Sequence, residues 1–193
     1  MSLSETTKPA RGRPSPKMFI SLGIGVVIAV ALIAVVSVVT GGKVTNSGSS
    51  PKSALQGTKI ATFSASGLAG GTQKAPWSNG HPSVLVFFAS WCEPCQGEIP
   101  KLAKYVSSHN EGRVEVLGID AGDQRAAARA FTKKDHVTFN VAFDPNDTIT
   151  AGLFKFAALP ETVFLNAKGV VENVHVGAIS TSQLARGISA LES

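Results

Sequence analysis

Hydrophobic residues follow two different patterns along this chain. Between Met18 and Val39 they run on almost without interruption, and no charged residue lies between Lys17 and Lys43. From about Lys59 onward, short apolar runs alternate with stretches in which apolar residues recur every three or four positions. The first pattern is typical of a helix that crosses a membrane. The second predicts strands that alternate with amphipathic helices.

The periodic part of the chain predicts nine elements. Val84–Phe88 is a continuous run of β-branched and aromatic residues, which suits a strand buried on both faces. Gln96–Ser108 places its apolar residues on one helical face. The other predicted elements are strands at Val114–Ile119, Phe139–Phe143, Thr162–Leu165 and Val170–Val176, and helices at Gln124–Lys134, Asp147–Phe154 and Thr181–Leu191, the last capped by Ser180 or Thr181.

The order of these elements predicts an α/β fold. Strands that are linked through helices are expected to pair in parallel. The short turn at Asn166–Gly169 joins the last two strands, which should therefore be antiparallel. A mixed sheet flanked by helices is the expected result.

Four segments divide the chain. Residues 1–17 are polar and basic with three prolines, so we predict a disordered cytoplasmic tail. Residues 18–39 would rise about 33 Å as a helix, enough to cross a hydrocarbon core of about 30 Å. Residues 40–58 are rich in Gly, Ser, Thr and Asn and predict a flexible tether. Residues 59–193 form the globular domain.

The residues that flank the apolar span predict its orientation. Basic residues are more frequent before the span than after it, which favours a cytoplasmic N-terminus and places the domain outside the cytoplasm. A cleaved secretory signal is the alternative. The span is longer than the apolar part of such signals, about 7–15 residues, and ends without a good Ala-x-Ala site. Both interpretations export the domain, and whether the span is ever cleaved stays open.

The distribution of charge argues against nucleic acid as a partner. The formal net charge is +5, and residues 1–42 already contribute +3 of it. The remaining Lys and Arg are scattered, whereas a nucleic-acid footprint gathers them on one face. We expect a monomer.

The two cysteines, Cys92 and Cys95, are the sharpest chemical feature. A bridge between them closes so small a loop that it would hardly restrict the unfolded chain, so stapling is a poor reason for their spacing. They follow a predicted strand and open a predicted helix. Unpaired N–H groups at a helix N-terminus favour a thiolate at Cys92, with a pKa below the free value of about 8.5. Cys95, one turn further, can act as the resolving thiol.

A zinc half-site and an incidental pair are the alternatives for these cysteines. A structural zinc site needs four ligands. Only two cysteines exist, and His81, His109, His136 and His175 are dispersed. Neither a metal nor an organic cofactor is therefore expected.

The segment Phe88–Ala89–Ser90–Trp91–Cys92–Glu93–Pro94–Cys95–Gln96–Gly97–Glu98–Ile99–Pro100 resembles the active-site segment of the thioredoxin superfamily. More narrowly, it is similar to the membrane-anchored branch that includes the extracytoplasmic reductants of cytochrome c maturation. The resemblance implies a thioredoxin-like fold with an inserted strand–helix unit at about 135–156. It also implies a redox disulfide between the cysteines, exported proteins such as apocytochrome c as substrates, and a membrane electron donor.

A second motif, Ala158–Leu165, resembles the loop before a later strand of that family. The resemblance implies that the Leu159–Pro160 bond is cis, that Pro160 faces the sulfurs, and that the backbone of Leu159 pairs with an extended substrate. We expect Trp91 to pack beside this site and to contact substrate. Ala158 stands where many relatives have Gly, and an ordinary trans loop proline is the alternative.

Glu98 is the third candidate catalytic residue. It lies three positions after Cys95, on the same helical face. Cytoplasmic-type thioredoxins carry a buried Asp in the preceding strand, where this chain has Val86, whereas the extracytoplasmic branch has an acid at the Glu98 position. A partly buried carboxyl has a raised pKa and can exchange a proton with Cys95 near neutral pH. The alternative is a surface acid favoured by the helix dipole.

The sequence thus predicts a thiol–disulfide oxidoreductase and leaves its direction open. Glu93–Pro94 between the cysteines favours a reductant. An oxidant that inserts disulfides is the nearest alternative, because reduction potential alone distinguishes the two. A non-catalytic binding module or chaperone is the alternative from another class. A peroxidase of the peroxiredoxin type is disfavoured, because those enzymes use a lone peroxidatic cysteine in a different motif.

Overall fold

The computed structural model describes residues 53–109, 112–156 and 158–193. The predicted tail, the predicted span and most of the predicted tether lie outside the described residues. Within the part of the chain that is described, no helix has the length and apolar character that a bilayer crossing requires.

Seven strands and three α-helices make up the described domain. The strands are β1 (Ser64–Ser66), β2 (Thr72–Lys74), β3 (Ser83–Phe88), β4 (Glu115–Ala121), β5 (Asn140–Asp144), β6 (Glu161–Leu165) and β7 (Val171–Val176). The helices are α1 (Glu93–Ser108), α2 (Arg125–Lys134) and α3 (Thr181–Glu192), with a 3₁₀ turn at Pro76–Asn79 and a π-helical turn at Thr148–Leu153.

Five strands form the central sheet in the order β5-β4-β3-β6-β7. β3 pairs in parallel with β4, which pairs in parallel with β5. β6 is antiparallel to β3 and to β7. The predicted mixed sheet is therefore confirmed, but the expected parallel pairing is wrong for β6, which follows the predicted helix at 147–154 and is nevertheless antiparallel to β3. β3 lies at the centre of the sheet with all six residues buried.

The two faces of the sheet are covered by different elements. On one face, Val84, Val86 and Phe88 of β3 pack in a cluster with buried residues of α1, α2 and α3. On the other face, Leu85 and Phe87 pack in a second cluster that includes residues of the 3₁₀ turn and the π-helical turn. Alternate residues of one strand thus supply both cores, as its continuous apolar run predicts.

Four details differ from the sequence-based expectations. α1 begins at Glu93 rather than Gln96, because Cys92 is its N-cap. The predicted helix at 147–154 is a π-helical turn. The hairpin β1–β2 was not predicted, and residues 53–58 of the expected tether touch the domain. The backbone N–H of Gly57, for example, donates a 2.8 Å hydrogen bond to the carbonyl of Val171.

Ser180, one of the two caps that the sequence predicts, is the N-cap of α3. Its hydroxyl accepts a hydrogen bond from the backbone N–H of Gln183, whose side chain in turn accepts from the Ser180 N–H. This reciprocal arrangement is a capping box, which satisfies two donors at the helix start.

Candidate active site

The site lies at one edge of the central sheet, where β3 ends and β6 begins. Phe87, next to last in β3, lies opposite Glu161, the first residue of β6. Because the two strands are antiparallel, the loop that follows β3 and the loop that precedes β6 lie at the same edge. The first loop carries Cys92 and the second carries Pro160, so the topology brings the two predicted motifs to one place.

Cys92 and Cys95 are joined in a disulfide, with their Cα atoms 5.3 Å apart. Cys92 is the N-cap of α1, and its sulfur accepts a hydrogen bond from the backbone N–H of Cys95 at 3.3 Å. One of the unpaired donors of the helix start is therefore aimed at this sulfur, which favours a thiolate after reduction. Cys95 is fully buried, whereas Cys92 keeps 4% of its surface exposed. Of the two cysteines, Cys92 is the one that retains exposed surface.

Glu98 is buried beside this pair. Only 3% of its surface is exposed, and neither carboxylate oxygen has a hydrogen-bond partner in the described structure. Burial raises the pKa of Glu98 from 4.5 to about 7, and the nearby backbone of Ile179 offsets part of this increase. The alternative of an ordinary surface acid does not fit this position. A carboxyl that titrates near neutrality can both take up and release a proton there.

The two predicted substrate-contact segments differ in exposure. The Leu159–Pro160 bond is cis, as the resemblance implies. Leu159 is half-buried and packs against both cores, and Pro160 accepts a 2.8 Å hydrogen bond at its carbonyl from the N–H of Gly177. Trp91 is 63% exposed, a high value for a large apolar side chain. Its indole Nε1 donates to the carbonyl of Gly122 at 3.2 Å, which holds the ring beside the cysteines.

The loop after β4 contributes residues that sequence reasoning missed. Asp123 accepts hydrogen bonds from the backbone N–H of Ser90 at 2.6 Å, from the Ser90 hydroxyl at 3.0 Å and from the N–H of Gln124 at 2.6 Å. Asp120, the sixth residue of β4, is fully buried. An acid at the end of a buried apolar strand was the available signal, and the predicted strand stopped one residue before it.

This arrangement defines the class of the protein. A mixed sheet, a Cys-x-x-Cys disulfide at the start of the helix after its central strand, and a cis-proline at the same edge are the features of the thioredoxin fold. The chain belongs to the AhpC/TSA family, whose match covers residues 56–174.

Several individual proteins are similar to this chain. The thiol-disulfide oxidoreductase ResA of Bacillus subtilis (strain 168) is 30% identical over 100 residues, which are 52% of this chain and 55% of that protein. The match therefore covers about half the length of the curated relative.

Solved structures match over more of their length. A structure of MTB DsbF is 33% identical with a TM-score of 0.59 and covers 67% of this chain and 94% of that one. A putative thiol:disulfide interchange protein DsbE from Chlorobium tepidum is 26% identical with a TM-score of 0.63 and covers 72% and 98%.

Proposed function

We propose that this protein is an extracytoplasmic thiol–disulfide oxidoreductase that reduces disulfides in exported proteins, such as apocytochrome c. The predicted helix at 18–39 would hold it in the cell membrane with its N-terminus in the cytoplasm. One observation supports the activity most directly. The disulfide lies at the N-terminus of α1, where Cys92 is the N-cap, and the buried carboxyl of Glu98 lies three residues after Cys95 on the same helix. That is the set of groups a dithiol exchange requires.

The reaction takes place in two displacements. The Cys92 thiolate attacks one sulfur of the substrate disulfide, a mixed disulfide forms, and the first substrate sulfur leaves as a thiolate that takes a proton from solvent. Cys95 then loses its proton to the Glu98 carboxylate and attacks the Cys92 sulfur. The Cys92–Cys95 disulfide forms, and the second substrate sulfur leaves as a thiolate. The substrate gains two electrons and the protein loses two.

The oxidised pair must then be reduced by a partner. Two electrons and two protons restore the dithiol, and a membrane-bound dithiol protein is the donor that we propose. Its thiolate would attack the accessible Cys92 sulfur, for the same reason that substrate does. Glu98 would return its proton to Cys95 in this step, which makes a pKa near 7 useful in both directions.

Two features support reduction over oxidation. The dipeptide between the cysteines is Glu93–Pro94, as in reductant-type members of the superfamily. The acid Glu93 is exposed at the first turn, where it opposes the charge of a nearby Cys92 thiolate. A less stable thiolate makes the reduced state less stable, which lowers the reduction potential.

An equilibrium titration of the full chain against glutathione buffers tests the direction. A reductant should have a potential close to about −270 mV, the value of thioredoxin, whereas a potential close to about −120 mV would contradict the reductase proposal. The variant Cys95→Ala should trap substrates in cells as mixed disulfides on Cys92. Cys92→Ala should abolish the protein's function in cells, whereas a non-catalytic binding module would retain its function without this cysteine.

A further inference from the structure

A second buried acid, Asp120, lies behind the segment that leads to Cys92. In the parallel pairing of β3 and β4, Asp120 lies opposite Phe88, so the two side chains extend from the same face of the sheet. Phe88 belongs to the core cluster that contains Cys92 and Cys95. Asp120 is fully buried, and no described donor satisfies either of its oxygens.

The side chain that approaches Asp120 is another acid. After burial, the largest cause of the raised pKa of Asp120 is Asp123, which acts through its charge and through a hydrogen bond between the two carboxyls. Two carboxylates cannot donate to each other, so such a bond needs a proton on one of them. Asp123 already accepts three hydrogen bonds from Ser90 and Gln124, as an anion does. The proton therefore belongs on Asp120.

The other charged groups around Asp120 shift its pKa in opposite directions. Burial, Asp123 and Asp144 raise its pKa, Arg125 lowers it, and the result is a pKa of about 8. Arg125 is engaged elsewhere, since it donates to the carbonyl of Gly67 at 3.0 Å and lies 4.1 Å over the ring of Phe143. It does not neutralise the carboxyl.

We propose that Asp120 is a positioning residue for the redox pair: its carboxyl proton, shared with Asp123, holds the Ser90–Trp91–Cys92 segment in place. Asp123 fixes Ser90 by two hydrogen bonds, and Gly122 in the same loop accepts from Trp91. Loss of the proton would place two negative carboxylates in contact behind this segment. The charge would raise the pKa of the Cys92 thiol and loosen the loop that orients it. This proposal depends on thiol exchange at Cys92 but on neither direction of it.

The pH profile of Cys92 alkylation tests the proposal. In the reduced full chain, the rate of Cys92 alkylation rises with pH as the thiol ionises. Above pH 8, we expect this rate to be at least threefold lower than a curve for a single thiol ionisation gives. Asp120→Asn keeps a donor toward Asp123 at every pH, so the deviation above pH 8 should disappear from its profile, whereas the inflection near pH 7 that Glu98 causes should remain. A profile of Asp120→Asn that superimposes on the wild type would overturn the proposal.

Two controls isolate this effect. Glu98→Gln removes the carboxyl that titrates near pH 7 and should leave the deviation above pH 8 in place. Asp135→Asn alters another buried acid, at the end of α2, whose Oδ2 also has no described partner, and should change nothing.

A direct titration covers the case in which Asp120→Asn fails to fold. The carboxyl carbon of Asp120 can be followed by NMR from pH 3 to 10 in the wild-type protein. A midpoint above pH 7 supports the shared proton, and a midpoint near the ordinary value of about 3.9 contradicts it.

Discussion

Cys95 and Glu98 lie three residues apart on the buried side of α1, and both are almost completely excluded from solvent. Residues at this spacing are neighbours on a helix surface. The resolving thiol and the buried carboxyl are therefore held together by a rigid element rather than by a loop. A proton that leaves Cys95 has an acceptor within the same helical turn.

The first prediction concerns the pH dependence of the thiols. Glu98 has a pKa of about 7 because it is buried, so its charge changes near neutral pH. Alkylation of the reduced wild-type protein should therefore show an inflection near pH 7, and Glu98→Gln should remove it. Rates are measured with a small alkylating reagent from pH 5.5 to 8.5.

Glu93→Gln is the matched control for this experiment. Glu93 is an exposed acid on the same helix, so its replacement should leave the inflection near pH 7 in place. Identical profiles for Glu98→Gln and the wild type would refute the proton relay.

The second prediction concerns stability. The pKa of Glu98 is higher in the folded protein, about 7, than its ordinary value of 4.5. The folded state therefore binds this proton more tightly, and its contribution to stability is complete below pH 4.5 and is lost as the pH rises to about 7. Glu98→Gln should gain stability relative to the wild type between pH 4 and pH 8, by up to about 3 kcal/mol.

Urea denaturation of the oxidised proteins at both pH values measures this difference. Asp120 changes the stability of both proteins in the same way, so it cancels in the comparison. A difference between variant and wild type that is constant from pH 4 to 8 would show that Glu98 does not titrate abnormally.

The sequence predicted the elements whose signals are local. β3 is a continuous apolar run, and α1 carries one apolar face, so both were found within a few residues of their true bounds. The Cys-x-x-Cys pair, Glu98 and the cis-proline were found by motif. Their burial follows from the strand and helix that carry them.

The missed features depend on contacts between distant segments. β1 and β2 are three residues each and show no apolar alternation that would predict a strand. They form because their backbones pair with each other, and Gly67 next to β1 forms a bridge to Ala142 of the sheet. The predicted strand ended at Ile119, one residue before Asp120. Here the strand continues to Ala121 and the acid is enclosed by later elements, which no local pattern reveals.

The third prediction concerns Trp91. A large apolar ring that is 63% exposed beside the accessible sulfur can bind an extended substrate at little cost to folding. Trp91→Ala should lower kcat/KM for a peptide disulfide by about tenfold, which corresponds to about 1.4 kcal/mol. Its thermal midpoint should fall by only about 2 °C, as for other exposed positions.

Trp91→Phe separates the two roles of the ring. Phe keeps the apolar surface and loses the hydrogen bond from Nε1 to the carbonyl of Gly122. It should retain kcat/KM within about threefold if the apolar surface binds substrate. An equal loss in both variants would instead assign the effect to the hydrogen bond.

The last prediction concerns the turn that follows β5. The Asp144 carboxylate accepts hydrogen bonds from the Thr148 hydroxyl at 3.0 Å, from the backbone N–H groups of Ile149 at 3.0 Å and Thr150 at 2.8 Å, and from the Thr150 hydroxyl at 2.7 Å. Thr150 is fully buried, so Asp144→Ala would leave the backbone N–H and the hydroxyl of Thr150 without an acceptor. The expected cost is about 2–4 kcal/mol in the free energy of unfolding.

Asp147→Asn is the control. Asp147 is the N-cap of the π-helical turn but makes no capping hydrogen bond with its side chain, and its φ of 54° suits Asn. Its charge also faces Asp144, so its removal should leave stability unchanged or slightly raised. Urea denaturation gives both values, and amide exchange at Ile149 and Thr150 should accelerate only in Asp144→Ala. Equal stability of the two variants would mean that Asp144 does not hold the turn.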